Sequence, residues 1–176
     1  MFFLYFRTMI QFILADKKDI KTLQDLADKS WKSAYKNILS TSQIEYMLST
    51  MYSEGELLSH IQDQPHYFYY LIQENHENLG FIGFEFDYEQ GCTKLHRLYL
   101  LPETQGKGYG KQCIDFLKKK SMDYGNHRII LNVNKYNRAK EFYQKLGFSV
   151  YSEGIFDIGE GYVMDDYLME YHNGTR

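Results

Sequence analysis

Apolar positions along the chain change their spacing several times, and each change indicates a different kind of element. Spacing typical of a helix predicts helices over 20–35, 41–51 and 54–61. Runs rich in aromatic and β-branched residues predict strands over 9–14, 67–72, 79–87 and 93–101. Further along, helices that begin at Gly110 and Asn137 alternate with strands over 129–133, 148–156 and 162–171.

The order of these elements predicts the fold class. Strand, helix and strand alternate in the middle of the chain, which implies some parallel pairing, whereas consecutive strands elsewhere favour antiparallel pairs. We therefore expect a mixed α/β fold, with a central twisted and mostly antiparallel sheet of about seven strands flanked by helices. No repeat, low-complexity tract or linker interrupts the pattern, so residues 1–176 are expected to form a single domain.

A glycine-dense turn lies between the strand at 93–101 and the following helix. Gly106, Gly108 and Gly110 allow the backbone to curl with its N–H groups pointing inward, and the helix start adds the positive end of its dipole. Such a turn favours phosphate or pyrophosphate. A P-loop would need Ser or Thr where Gln112 stands, and the dinucleotide fingerprint would need glycine where Lys111 stands. A turn that only joins a strand to a helix is the alternative.

Composition narrows the function classes. A net charge of −3 argues against a general nucleic-acid binder, because such proteins carry basic patches. Two cysteines are too few for a disulfide framework and fit a reducing cytoplasm. The six histidines and two cysteines show no zinc-ligand spacing, so no metal is expected. Aromatic enrichment, with 17 Tyr and 12 Phe, fits a core or a pocket equally well.

The first ten residues are apolar enough to raise the question of an export signal. Their positive charge follows the apolar residues, and no small-residue cleavage site comes after them. The stretch is also far shorter than the roughly 20 residues of a spanning helix, so no membrane association is expected. We interpret residues 1–8 as a strand extension, or as sequence upstream of a natural start at Met9.

Two motifs in this order resemble the GCN5-related N-acetyltransferase (GNAT) family. The first is Q-x-x-G-x-G over 105–110, directly after L-Y-L-L-P-E over 98–103. The second, one helix and one strand later, is N-x-A-x-x-F-Y-x-x-L-G-F over 137–148. The resemblance covers about residues 9–171 and implies the GNAT fold, with acetyl-coenzyme A (acetyl-CoA) as the acetyl donor.

The resemblance also implies which residues contact the donor. Backbone groups of Leu98, Tyr99 and Leu100 would bond the pantetheine arm as an added strand would. The following loop would wrap the pyrophosphate with its amide groups; its residues are Gln105, Gly106, Lys107, Gly108, Tyr109, Gly110 and Lys111. Asn137 would contact the cofactor near the ends of two separating strands. Many relatives have one more residue between this asparagine and the tyrosine that matches Tyr143. The departure from the family pattern concerns the assignment of Asn137, because Tyr143 keeps its spacing to the L-G-F at 146–148.

Acetyl transfer from a thioester to an amine needs a proton donor for the leaving thiolate and a proton acceptor for the amine. Tyr143 matches the family's general acid, and a phenol with a pKa of about 10 is protonated at neutral pH. Position 143 also fits the apolar face of its helix, so core packing is the alternative role.

Several groups are candidates for the proton acceptor. Some relatives carry a glutamate where this chain has Asn132, which cannot accept a proton. His96, expected on the same face of its strand as Leu98 and Leu100, has a suitable intrinsic pKa, although a buried or edge histidine would look the same. Glu85, Asp87 or a chain of water molecules could serve instead.

The resemblance places the acceptor site between the first helices and the last strands. Trp31, Tyr35 and the 44–51 helix would form one side, and we add Glu85 as a further substrate-binding candidate. The other side would carry the acidic residues Asp157, Glu160, Asp165 and Asp166. As an alternative, these acidic residues could lie in solvated turns, and the aromatic residues could pack in the core.

The W-x-x-x-Y pattern over 31–35 is similar to the PaiA-like branch, whose members acetylate polyamines. We therefore expect a cytoplasmic enzyme, monomeric or homodimeric, that acetylates a small-molecule amine such as a polyamine. The alternatives are a protein or peptide N-acetyltransferase and a catalytically silent acyl-CoA sensor.

Overall fold

The computed structural model describes residues 9–174, so the interpretation of residues 1–8 lies outside the described residues. In chain order the elements are β1 (Gln11–Leu14), α1 (Ile20–Tyr35), α2 (Thr41–Met51), α3 (Glu54–Gln62), β2 (Tyr67–Glu74), β3 (Glu77–Glu89), β4 (Cys92–Leu100), α4 (Tyr109–Tyr124), β5 (Arg128–Asn134), α5 (Ala139–Lys145), β6 (Ser149–Gly159) and β7 (Tyr162–His172). Every element predicted from residue 9 onward is present, with small differences at the ends. No helix in this part of the chain is both long and apolar enough to cross a membrane.

The strands form one mixed sheet in the order β1-β2-β3-β4-β5-β7-β6 among the described residues. β4 and β5 pair in parallel, and the other neighbours pair antiparallel. The parallel pair follows from α4, which carries the chain back across the sheet between β4 and β5. The predicted fold class, with its mostly antiparallel sheet and flanking helices, is confirmed.

Helices cover both faces of this sheet. α4 and α5 pack on one face through buried side chains such as Cys113, Ile114 and Tyr143. α1, α2 and α3 pack on the other face, where Leu23 and Trp31 are among the buried residues. α1 is amphipathic, and the turn before it starts with Asp16, whose carboxylate accepts a hydrogen bond from the N–H of Lys18 at 2.7 Å.

β4 and β5 stay paired over only part of their length. Their register runs from Cys92 opposite Arg128 to Leu95 opposite Leu131 and then stops. β5 continues beside β7 as far as Asn134 opposite Asp166. The two parallel strands therefore separate, and the backbone edge of β4 beyond Leu95 is not in the β5 ladder.

A β-bulge in β4 lies where this separation begins. Gly83 of β3 pairs with Arg97 and Phe84 pairs with Leu95, so His96 is an extra residue between them. Leu95, Leu98 and Leu100 belong to the core under α4 and α5, whereas Tyr99 packs with the α1–α3 side. The bulge thus determines which side chains of β4 face α4 and α5 and which face α1–α3.

α4 continues to Tyr124 and ends at Gly125 with φ +99°. One predicted helix start is wrong. α5 begins at Ala139 rather than Asn137, because the Asn137 side chain accepts a hydrogen bond from the Ala139 N–H at 2.9 Å and thereby precedes the first turn.

Candidate active site

A cavity of about 70 Å³ occupies the gap between β4 and β5. It is lined by Tyr143 from the α5 layer and by Tyr35 from the α1 layer. The separated strands contribute Leu98, Tyr99 and Val133 among others. The cavity therefore passes through the sheet and joins its two faces, which a fully paired sheet would not permit.

Tyr143 lies on the inner face of α5 and is only 9% exposed. The rings of Phe142 and Phe148 pack at 5.1 and 5.6 Å from it, centroid to centroid. Burial, helped by the nearby Tyr35 and Cys113, raises the pKa of Tyr143 well above that of a free phenol. Its hydroxyl is thus protonated at neutral pH, so the side chain is buried and lines the cavity at the same time.

Asn137 and Tyr35 both line this cavity, although Asn137 was predicted to bind the cofactor and Tyr35 the substrate. Burial raises the pKa of Tyr35, and hydrogen bonds with Tyr99 and Asn137 oppose that rise. The three side chains therefore form one polar contact set inside the sheet.

A wider groove of about 560 Å³ runs over the glycine turn. Its lining includes most of the predicted loop, namely Gln105, Gly106, Gly108, Tyr109, Gly110 and Lys111, together with Ser33, Leu100, Leu101, Pro102, Thr104 and Phe142. Gly106 and Gly108 have φ of +80° and +77°, a conformation that favours glycine. The positive end of the α4 dipole also lies at this turn, so this end of the helix could hold a pyrophosphate.

Lys107 is not part of the groove lining; its Nζ lies 5.8 Å from the ring centre of Tyr109. The Tyr109 hydroxyl donates to the carboxylate of Glu74 at the end of β2. Glu74 therefore ties the start of α4 to the sheet. Sequence reasoning missed Glu74, because nothing in its local pattern indicates a contact with a residue 35 positions away.

A third cavity, of about 260 Å³, lies between α1, α2 and the β6–β7 hairpin. Its walls are mostly apolar and include Trp31, Tyr35, Met47, Met51, Phe156, Ile158 and Met164. Lys94, His96, Asn132, Asn134 and Asp166 add polar groups. It shares Tyr35, His96 and Asn132 with the smaller cavity, so the two are contiguous through the sheet.

His96 does not lie on the face of Leu98 and Leu100, so that prediction is wrong. The bulge turns His96 toward the α1–α3 side, where its ring stacks on Tyr67 at 4.8 Å. Its Nε2 lies 2.9 Å from Oε2 of Glu85. Burial, aided by Arg97 and Lys94, lowers the pKa of His96 to about 3, and burial raises the pKa of Glu85. Neutral His96 thus donates to Glu85 and binds a further proton poorly.

Arg97, the next residue, was not anticipated as a buried group. It is 6% exposed, donates to the Tyr67 hydroxyl, and donates to the carbonyl of Met51 at 3.1 Å. Its guanidinium also lies 5.0 Å from the ring centre of Tyr52. Regular alternation would not place both residue 96 and residue 97 on this side, so only the bulge accounts for it.

The four acidic residues expected around the acceptor occupy different environments. Asp157 accepts from the Gly159 N–H at 2.8 Å, Glu160 lies in the turn between β6 and β7, and Asp165 pairs with Lys135 at 2.8 Å. Only Asp166 of the four lines the third cavity. It is 7% exposed, and burial raises the pKa of its carboxyl, against hydrogen bonding from Asn132.

Comparison with known proteins agrees with this architecture. The model of the acetyltransferase (GNAT) family matches residues 24–148. A spermidine N(1)-acetyltransferase from Thermoplasma acidophilum is 32% identical over 135 residues, which cover 76% of this chain and 84% of that protein. An uncharacterised N-acetyltransferase from Lactobacillus delbrueckii subsp. lactis is 23% identical over 160 residues, covering 87% and 92% of the two chains.

A solved structure shares the fold over nearly its whole length. The crystal structure of PaiA N-acetyltransferase from Thermoplasma acidophilum, in complex with coenzyme A, has a TM-score of 0.79 and 28% identity to this chain. The match covers 93% of this chain and 99% of that one. The chain therefore belongs to the acetyltransferase (GNAT) family and is an N-acetyltransferase.

Proposed function

We propose that this enzyme transfers the acetyl group of acetyl-CoA to a primary amine of a small cationic molecule such as a polyamine, with Tyr143 as general acid. The observation that carries the proposal is the cavity through the sheet. The protonated phenol of Tyr143 lines this cavity, which adjoins the third cavity through Tyr35, His96 and Asn132, and the neighbouring Phe142 lines the groove over the glycine turn.

The donor would occupy the groove and the gap. The pyrophosphate would lie against the N–H groups at Gly106–Lys111, and the pantetheine arm would follow the backbone edge of β4 at Leu98–Leu100. That edge has no ladder bonds to β5, since the pairing stops at Leu95 opposite Leu131. The coenzyme A bound to the PaiA relative supports acetyl-CoA use here.

The reaction requires two proton transfers on the acceptor side and one on the donor side. The ammonium first loses a proton, and the neutral nitrogen attacks the thioester carbonyl carbon, which moves one electron pair onto the carbonyl oxygen. Collapse of this intermediate reforms the carbonyl and breaks the carbon–sulfur bond. The leaving thiolate takes the phenolic proton of Tyr143. The second proton from nitrogen returns to the Tyr143 phenolate through water, and the first is released to solvent, so one proton is produced for each acetyl group transferred.

The shape and lining of the third cavity favour a small acceptor over a peptide. Its aromatic and methionine walls suit an alkyl chain, and Asp166 suits a cationic nitrogen. The spermidine acetyltransferase among the relatives supports a polyamine. His96 contributes little as a base in this scheme, because its pKa of about 3 makes it a weak proton acceptor.

A thiol-release assay tests the proposal, with acetyl-CoA as donor and spermidine, an aminoglycoside and a lysine-containing peptide as acceptors. We expect release with spermidine. Release with the peptide alone would favour the protein or peptide acetyltransferase alternative. Tight acetyl-CoA binding without release for any acceptor would favour the sensor alternative.

The role of Tyr143 is tested in the same assay. Tyr143→Phe should lower kcat about 100-fold or more, the usual contribution of general acid catalysis. Its affinity for coenzyme A, measured by calorimetry, should stay nearly unchanged. Tyr151→Phe is the matched control, because Tyr151 lies on β6, 40% exposed, and outside the lining of all three cavities. An unchanged kcat for Tyr143→Phe would overturn the assignment.

A further inference from the structure

Asp166 is a buried carboxylate with one oxygen that no described residue bonds. The residue lies on β7 opposite Asn134 of β5, at the wall of the acceptor cavity. Its Oδ2 accepts from the Asn132 side chain at 3.4 Å, which is a long hydrogen bond. Its Oδ1 is buried and has no hydrogen-bond partner among residues 9–174. A buried carboxylate in this state costs stability, and such groups usually have a partner.

The neighbouring cations are engaged elsewhere. Lys135 pairs with Asp165 at 2.8 Å and with Glu153 at 3.5 Å. Lys94, the cation in the same cavity, donates to Oδ1 of Asn132 at 2.8 Å and lies 4.9 Å from the ring centre of Tyr88. Asn132 therefore stands between Lys94 and Asp166, and no ion pair joins these two within the described residues.

The space beside Asp166 is suited to an alkyl chain. Phe156, Ile158 and Met164 approach from the β6–β7 hairpin, and Trp31 and Met47 approach from the helices. These walls are apolar, whereas Asp166 contributes a negative charge that is largely shielded from solvent. A ligand that satisfies both has a protonated nitrogen joined to methylene groups.

We propose that Asp166 binds the cationic nitrogen of the acceptor and thereby selects alkyl polyamines over neutral or anionic amines. This inference rests on the proposed function, because the acceptor is the molecule that the cavity is taken to hold. The same placement brings the nitrogen next to Asn132, which also lines the small cavity with Tyr143. Asp166 is thus a specificity-determining residue for the acceptor half of the reaction.

Calorimetric titration of spermidine into the protein saturated with coenzyme A tests this without any turnover. Asp166→Asn keeps the size of the side chain and removes its charge, so spermidine affinity should fall between about tenfold and a hundredfold, as for a lost charged hydrogen bond. Coenzyme A affinity should not change. Asp165→Asn is the control, since Asp165 pairs with Lys135, and it should bind spermidine as the unmodified chain does.

The outcomes separate this inference from the proposed function. Equal spermidine affinity in Asp166→Asn and the unmodified chain, or no spermidine binding by the unmodified chain, would overturn the role of Asp166. Charge-dependent binding without any acetylation would support Asp166 and refute the proposed transferase reaction on this acceptor. Asp166→Ser, which also removes the charge, takes the place of Asp166→Asn if that variant does not fold.

Discussion

The cost of keeping Asp166 ionised inside the protein can be measured directly as stability. At neutral pH the folded chain holds a carboxylate that is 7% exposed and that, among residues 9–174, accepts a hydrogen bond only from Asn132, at 3.4 Å. A buried polar group that lacks a partner costs about 1–3 kcal/mol. Asp166→Asn removes the charge without changing the volume, so the variant should gain about 1 kcal/mol in the free energy of unfolding at pH 7.

The sign of the pH dependence follows from the direction of the pKa shift. Burial raises the pKa of Asp166 in the folded state above the ordinary value of 3.8. The folded state then binds more protons than the unfolded state between the two values, so the native chain loses stability as the pH rises through that window. The asparagine variant does not titrate at this position. Its advantage should be full above the raised pKa and should shrink as the pH falls toward 3.8.

Three groups face Asp166 and contribute to this behaviour. Lys94 on β4 lowers the pKa of Asp166, and Asp165 on β7 raises it. Tyr35 on α1 is uncharged at these pH values, because burial raises its own pKa.

Thermal unfolding of both chains between pH 8 and pH 4 provides the measurement. One kcal/mol corresponds to a melting temperature higher by about 2–4 °C in a chain of this size. Asp165→Asn is again the control and should be less stable, or unchanged, because it breaks a pair with Lys135. Reduced stability of Asp166→Asn at pH 7, or a gain that grows toward acid pH, would refute the reasoning.

Three further predictions concern the donor loop and the histidine. Gly106→Ala should weaken coenzyme A binding in calorimetry, because a φ of +80° costs an alanine about 1–2 kcal/mol even though no atom would clash with its Cβ. Gly55→Ala in α3 is the control and should bind coenzyme A normally. Tyr109→Phe should raise the KM for acetyl-CoA severalfold by freeing the start of α4 from Glu74; an unchanged KM would contradict that role. His96→Gln should leave the shape of the pH–kcat profile above pH 5 unchanged, since the pKa of His96 is about 3. If the variant instead loses a pH-dependent change in kcat near neutral pH, His96 is the general base after all.

Much of the fold follows from the sequence because its signals are local. The apolar face of α1 and the strand formers at 67–72 lead to the observed elements, and the crossover through α4 leads to the parallel pair. The glycine turn was equally predictable, because the closely spaced glycines stand out in the sequence, and Gly106 and Gly108 do adopt positive φ. These features depend on residues near one another in the chain.

The acceptor side depends on register, which the sequence does not display. Asp165 and Asp166 are adjacent acids, yet one pairs with Lys135 and the other is buried beside Asn132. Their difference is set by which face of β7 each occupies against β5. The environment of His96 was likewise unpredictable, because a one-residue bulge in β4 has no signature in its composition.

The bulge at His96 also makes β4 unequal in its tolerance of change. A substitution in this strand alters one side chain, and deletion of His96 would restore a regular ladder with Leu95 still opposite Phe84 and Arg97 still opposite Gly83. Deletion of a residue beyond the bulge, such as Tyr99, would instead move the next side chain to the opposite layer. We therefore expect β4 to tolerate a change in length at the bulge but not between Leu98 and Leu100.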